Sequence, residues 1–212
     1  THRWCLLSLT CILLVGAGLR LRILGQDVRF HSDESFFNTF AVNAAVHGKW
    51  MLGGPLDKSP VTIYANAISL HFVGVHINVD SERDVDVRVG EFAARVPNTF
   101  ASIVLIALIT RLTYDLSRKS SASLLAALLA MLSPFLLVFS PSSFTDVFML
   151  MLMVAALLAT VRGAFLWAGV WLALSIWSKQ QGIYYLPLLL AVMALHGTLN
   201  WHNLRRLSLT LV

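Results

Sequence analysis

The feature that most constrains this chain is a series of apolar runs, each near the length of a membrane crossing and separated by short charged or turn-forming loops. A spanning helix needs about 20 mostly apolar residues, with about 17 to 25 workable. Spans are read at about 4–19, 92–112, 121–139, 144–161, 164–177 and 183–196, with a truncated seventh from 207. Hydrophobic residues fill 57% of the 212 positions and charged residues only 13%, a balance that ordinary soluble domains do not have. The expected fold is all-α, a polytopic transmembrane helical bundle. The first run follows Arg3 and exits through Arg20 and Arg22 without a small-x-small cleavage site, so it reads as a retained helix. The fifth and sixth runs are short and suit helices packed against neighbours or extended by a snorkelling Lys179. Thr1 stands where a Met would begin a protein, and Val212 interrupts an apolar run. The chain therefore reads as the N-terminal part of one larger transmembrane domain.

The net charge of +5 would suggest nucleic acid in a soluble protein. Here it reads as loop charge that orients the chain, and no nucleic-acid partner is expected. Arg111, Arg118 and Lys119, then Arg162, then Arg205 and Arg206 fall in alternate loops on the same side as Arg3. That side is expected to be cytoplasmic, although Arg20 and Arg22 fall on the other. Asp27, Asp33, Glu34, Asp57, Asp80, Glu82, Asp84, Asp86, Glu91 and Asp146 gather on the opposite, outer face. Cys5 and Cys11 lie together in the first run and point in different directions, so neither a disulfide nor redox chemistry is indicated.

The outer segment 24–91 carries elements of its own. Ser32 with Asp33 and Glu34 marks a helix start, with carboxylates at the positive end of the dipole. Phe36, Phe37, Phe40, Ala41 and Ala44 recur at helical spacing opposite Asn38, Asn43 and His47, which predicts an amphipathic helix lying in the membrane interface. Ser59-Pro60 reads as an N-cap and first-position proline opening a second such helix to about Val75. The charged stretch 78–88 reads as an exposed loop.

Several groups carry chemistry in prospect, and each has a plainer reading. Asp33 and Glu34 are a general base or metal ligands, or merely acids at a helix start. Asp57-Lys58-Ser59-Pro60 sets an ammonium at a helix N-terminus, a phosphate site, or is a solvated turn. Asp146 sits a turn into an apolar span, where a carboxylate is costly, or is a capping acid. Lys179 and Arg95 hold a phosphate, or anchor span ends at the interface. Together these groups suit a reaction on an anionic lipid head group: Asp33 takes a proton, Lys58, Arg95 and Lys179 hold phosphate, and Asp146 orients a substrate.

At these residues the sequence resembles the GT-C membrane glycosyltransferases, in the branch of the protein O-mannosyltransferases and the bacterial aminoarabinose transferase acting on lipid A. The resemblance runs over residues 4–196. Its carriers are the acidic pair Asp33-Glu34, the segment Asp57-Lys58-Ser59-Pro60, Arg95 with Pro97, Asp146 between the third and fourth spans, and Ser178-Lys179-Gln180-Gln181-Gly182. It implies a GT-C bundle that moves a sugar from a polyprenyl-phosphate donor to a hydroxyl of a protein, lipid or glycan acceptor, with inversion. Asp33 would be the base, and catalysis would occur on the non-cytoplasmic face of a multi-pass membrane protein (the plasma membrane in a prokaryote). A divalent metal ion is left open, with Glu34, Asp57 and Asp146 as its carboxylates, though no ligand spacing demands one. Two readings compete. A transporter would carry charges deep in several spans, and a non-catalytic membrane scaffold would show no coupling among Asp33, Lys58, Asp146 and Lys179.

Overall fold

The computed structural model describes residues 2–26, 28–51, 60–73 and 86–209, with side chains from Cys5 onward. Most of the described residues are helical, and none of them is in a strand. In chain order the helices are α1 (His2–Leu24), α2 (Ser32–His47), α3 (Pro60–Val73), α4 (Val87–Ser117), α5 (Ser120–Leu132), α6 (Pro134–Phe139), α7 (Asp146–Val161), α8 (Phe165–Ser178), α9 (Leu186–Leu195) and α10 (Trp201–Ser208). A 3-10 turn, Gln180–Tyr185, leads into α9. Cys5–Leu24 and Val87–Ser117 are each long and apolar enough to cross a membrane. Together with the predominance of helix, this is the all-α membrane architecture that the apolar runs predict.

Several boundaries differ from the sequence expectation, each for a local reason. The third run is two helices, because Pro134 has no N–H to continue the ladder, and Ser133 caps α6 by accepting from the Leu136 N–H at 3.4 Å. The sixth run starts as the 3-10 turn. Arg205 and Arg206, expected in a loop, lie in α10, where Leu204 and Leu207 pack onto Phe165 and Met193. The expected seventh run extends beyond residue 209 and so falls largely outside the described residues.

Two ends of the bundle are fixed by polar side chains. Helices α4 and α7 run parallel. Arg95 near the start of α4 and Ser143 just before α7 share one carboxylate, that of Glu34. At the far ends, Asp115 of α4 bridges Arg111 at 3.1 Å and Arg162, which closes α7, at 2.7 Å. Helix α8 returns antiparallel along α7, where Ser175 Oγ donates to the Met149 carbonyl and Ser178 Oγ to that of Thr145. Small residues let α4, α5 and α7 approach closely. Ala101, Ala127 and Ala130 are buried with Leu105, Ile106 and Val147, the packing that holds helices where lipid removes the hydrophobic drive between them.

Helices α2 and α3 sit on the N-terminal half of α4 through Ala41, Ala44, Ile63, Ala67, Leu70 and Ala93. Pro97 inside α4 leaves the Ala93 carbonyl without its helical donor, and Ser69 Oγ of α3 donates to it at 2.6 Å. The predicted face of α2 is corrected here. Its buried stripe is Glu34, Asn38, Ala41 and Ala44, so Asn38 faces inward at 4% exposure while Phe36 is exposed. Asn38 can be buried because its amide donates to Ser143 Oγ at 2.6 Å, and a satisfied polar group loses its burial penalty. Helix α2 ends at Gly48, whose left-handed φ of 63° costs a residue without Cβ little.

Asp115 has a side chain only 6% exposed, whereas Arg111 is 56% exposed. A buried carboxylate that loses its charge strands its cations, while a half-exposed cation is rehydrated when its partner goes. Asp115→Asn is therefore expected to lower the unfolding temperature of the detergent-solubilised protein clearly, and Arg111→Gln to lower it less. Equal shifts in thermal melts would remove Asp115 from the centre of this cluster.

Candidate active site

The polar centre of the structure is the loop 140–146 between α6 and α7. Its Ser140, Ser142, Ser143 and Thr145 are all buried, and its backbone is held from α4 and α2. Asn98 Nδ2 donates to the carbonyls of Phe139 at 3.2 Å and Ser142 at 2.7 Å. Thr99 Oγ1 donates to the Ser140 carbonyl at 3.1 Å. Glu34 Oε1 accepts from the Ser143 N–H at 2.9 Å.

Glu34 is held from three directions. Its side chain closes a capping box at the start of α2, accepting from the His31 N–H at 2.9 Å. Arg95 meets it in a fork, Nε to Oε1 at 3.0 Å and Nη2 to Oε2 at 3.1 Å. Both residues are nearly inaccessible, at 3% and 5% exposure. The remaining Arg95 donor Nη1 reaches the Val28 carbonyl at 2.6 Å, and the guanidinium lies 4.9 Å from the Phe30 ring centre. Burial by itself raises the Glu34 carboxyl. Hydrogen bonds from Arg95, then from the backbone of His31 and Ser143, and the Arg95 charge outweigh it and hold the carboxyl below its ordinary range.

Asp33, one residue earlier, is in a different setting. Its side chain is 67% exposed, with an oxygen 3.8 Å from His31 Nδ1. Its N–H donates to the same Nδ1 at 3.3 Å, and the His31 ring packs 5.7 Å from that of Phe144 in the loop. Asp33 thus stands on the open rim of the helix turn whose inner side carries Glu34.

Asp146 and Lys179 form a second pair at 2.6 Å, each side chain a little over a quarter exposed. Asp146 is the first residue of α7, not a turn inside an apolar span. A carboxylate there lies at the positive end of the helix dipole. Lys179 follows α8, and its approach depends on Gly182. The Gly182 N–H donates to the Lys179 carbonyl at 2.8 Å. A Cβ at Gly182 would fall 2.8 Å from backbone atoms of Ser175 and Ile176, so only glycine lets the chain fold back so tightly on α8.

The structure therefore brings the sequence-predicted residues together as two ion pairs joined by one loop: Glu34 with Arg95, and Asp146 with Lys179. Asp57 and Lys58 lie outside the described residues. The expected phosphate role of Arg95 does not match its placement, since its donors are engaged inside the protein. The metal expectation fares similarly. Glu34 is committed to a guanidinium and two N–H groups, Asp146 to an ammonium, and no group of three metal-binding side chains occurs among the described residues. A carboxylate already paired with a fixed cation is a poor cation ligand, so these residues do not fit a metal.

Sequence reasoning missed the Asn38, Asn98 and Thr99 contacts that hold the loop. It also passed over Asp115, and it read Arg20 as a loop charge, although Arg20 is completely buried. For Arg20 a signal existed: an arginine just inside the end of an apolar run needs partners there. Asn98 and Thr99 carried none, because a polar residue in a long helix looks alike whether it faces water or a neighbour.

Glu34→Gln is expected to cost about 3–5 kcal/mol, the scale for removing one partner of a buried ion pair. The pH dependence has a definite sign. The folded carboxyl titrates below its ordinary value of about 4.3, so its stabilisation is fully present above that value and is lost as pH falls through the folded one. Thermal melts across acidic pH should show this decline in the wild type and a flatter profile in Glu34→Gln. Identical profiles would refute the depressed carboxyl.

Residues 87–212 match the family described as dolichyl-phosphate-mannose-protein mannosyltransferase. Arg95, the loop 140–146, Asp146 and Lys179 lie inside the match, and Asp33 and Glu34 precede it. No curated protein and no solved structure matches the chain. The matched region covers more than half of the sequence, and it holds the second ion pair, the loop and the arginine that secures Glu34. The chain belongs to the dolichyl-phosphate-mannose-protein mannosyltransferase family and is an integral membrane glycosyltransferase of the GT-C kind.

Proposed function

We propose that the protein transfers a sugar from a polyprenyl-phosphate donor to an acceptor hydroxyl in one inverting step, with Asp33 as the base. Asp33 takes the proton of the acceptor hydroxyl, whose oxygen bonds to the anomeric carbon. The bond from that carbon to the phosphate oxygen breaks, and polyprenyl phosphate leaves. The observation that carries this reading is the division between two adjacent carboxylates. Glu34 is sealed against Arg95, which fixes the helix start and leaves Asp33 solvent-facing, with no lysine or arginine paired to it among the described residues. A base must be reachable and must not be neutralised by a fixed cation.

Lys179 supplies positive charge to the leaving phosphate. Its tether to Asp146 sets its position, and its partial exposure leaves donors for a ligand. A cation placed in advance stabilises charge that develops as the phosphate departs. Lys58 is assigned the same role from sequence alone. Arg95 positions Glu34 and, through it, the base. The acceptor is a protein, lipid or glycan hydroxyl, and the family description favours mannose and a protein. The site lies on the non-cytoplasmic face. The parallel course of α4 and α7 puts the basic end with Arg111, Arg118 and Arg162 opposite the loop 140–146, which accords with basic loops on the cytoplasmic side.

Asp33→Asn in the full-length membrane-embedded protein is expected to lower turnover by at least about 10²-fold, within the range for loss of a general base, with insertion unchanged. Turnover at the wild-type rate, measured with a panel of polyprenyl-phosphate sugars, would end the assignment. Lys179→Gln and Gly182→Ala are both expected to raise the donor KM, the second by displacing Lys179. A donor KM unaltered in Lys179→Gln would take the phosphate away from this residue.

A further inference from the structure

Arg20 is the one fully buried charged residue among the described residues, and nothing in the proposed chemistry uses it. It lies near the end of α1, within the apolar stretch Cys5–Leu24. Its Nε donates to Ser102 Oγ of α4 at 2.7 Å, and its Nη1 donates to the carbonyls of Gly16 at 3.1 Å and Met131 at 3.2 Å. Nη2 has no partner among the described residues. Met131 is in the last turn of α5, where the final carbonyls of a helix lack intrahelical donors. The Ser133-Pro134 break ends α5 at Leu132, so the helix does not continue far enough to give the Met131 carbonyl its own donor. Carbonyls stranded inside an apolar environment need a donor from another element, and a cation at a helix C-terminus also meets the negative end of the dipole. Arg20 supplies both. Gly16 permits the approach, since a Cβ there would sit 3.0 Å from the Met131 side chain and 3.6 Å from Arg20 Nη1.

We propose that Arg20 is a positioning residue for the transfer site, acting by capping the broken end of α5. The path is short. The break at Ser133-Pro134 launches α6, six residues long, which delivers the chain into the loop 140–146. That loop takes the Glu34 carboxylate at Ser143 and begins the helix of Asp146. Arg20 also fixes α5 to α4 through Ser102, two turns beyond Arg95 and one turn beyond the Asn98 and Thr99 that hold the same loop. The break and the loop are thus referenced to one helix. The inference rests on the loop being part of the transfer site.

The test uses the full-length protein in membranes, with Cys5→Ser and Cys11→Ser and a reporter Phe144→Cys. A water-soluble maleimide reads loop exposure independently of catalysis, and turnover is measured separately in the protein without the reporter. Arg20→Met keeps the side-chain length without donors. It is expected to change the labelling rate severalfold and to lower turnover by about tenfold to a hundredfold, the scale for a small misplacement of reacting groups. Arg20→Lys keeps a cation but cannot form the fork, and is expected to fall between. Pro134→Ala restores an N–H at the break. Combined with Arg20→Met, it is expected to give a smaller loss than the product of the single losses, because both act on the same end of α5. Unchanged labelling in Arg20→Met, wild-type turnover in Arg20→Lys, or strictly multiplicative losses in the double variant would each overturn the proposal. If Arg20→Met does not accumulate, Arg20→Lys and its combination with Pro134→Ala decide it alone. Altered labelling beside wild-type turnover in Asp33→Asn would leave the role of Arg20 in the loop standing while the catalytic reading falls.

Discussion

A carboxylate drawn out of water must be met by a cation and by donors for its remaining lone pairs, or its burial becomes prohibitive. Glu34 meets this condition with Arg95, the His31 N–H and the Ser143 N–H. Each of those partners comes from a different place: the N-terminal part of α4, the entry to α2, and the loop before α7. Satisfying one carboxylate therefore joins three parts of the chain far apart in sequence. The same contact leaves Asp33 on the open side of the turn, because consecutive helical residues point about 100° apart. Two neighbouring acids acquire different chemistry from one geometric fact.

The second recurring device is the satisfaction of carbonyls left open where a helix is interrupted or ends. Pro97 opens α4, and Ser69 of α3 closes the gap at Ala93. Pro134 breaks the third apolar run, and Arg20 of α1 donates to the stranded carbonyl of Met131. In each case a helix irregularity becomes a docking point for another helix. This is how backbone irregularity survives in an apolar setting. Around these points the helices meet through alanines rather than large side chains, which brings backbones close enough for short side chains such as Ser69 and Ser123 to reach a neighbour.

The sequence carried the helical architecture with little ambiguity. Long apolar runs can satisfy their backbone only as helices, so α1, α4, α7 and α8 were legible from hydropathy alone. The start of α2 was legible from Asp33 and Glu34, and that of α3 from Pro60. Less legible were the interruptions. Hydropathy does not register that Pro134 divides an apolar run, nor that Arg205 and Arg206 sit in a helix whose Leu204 and Leu207 find a core. The face of α2 was misread at Asn38, since periodicity assigns polar residues to water unless their partners are known. Among the site residues, Asp146 and Lys179 were recognised singly, and their pairing was not.

By itself the sequence determined which segments are helical and apolar, which charges gather between them, and that the residues match a mannosyltransferase family. These properties are local, set by side-chain polarity and by backbone hydrogen bonding within each run. Tertiary structure alone decided the partnerships: Glu34 with Arg95, Asp146 with Lys179, and Arg20 with the end of α5. Such pairings depend on which helices lie side by side and in what register. An ionisable side chain in a low-dielectric interior takes the role of whatever neighbour stabilises its charge, and no single stretch of sequence contains both members of that pair.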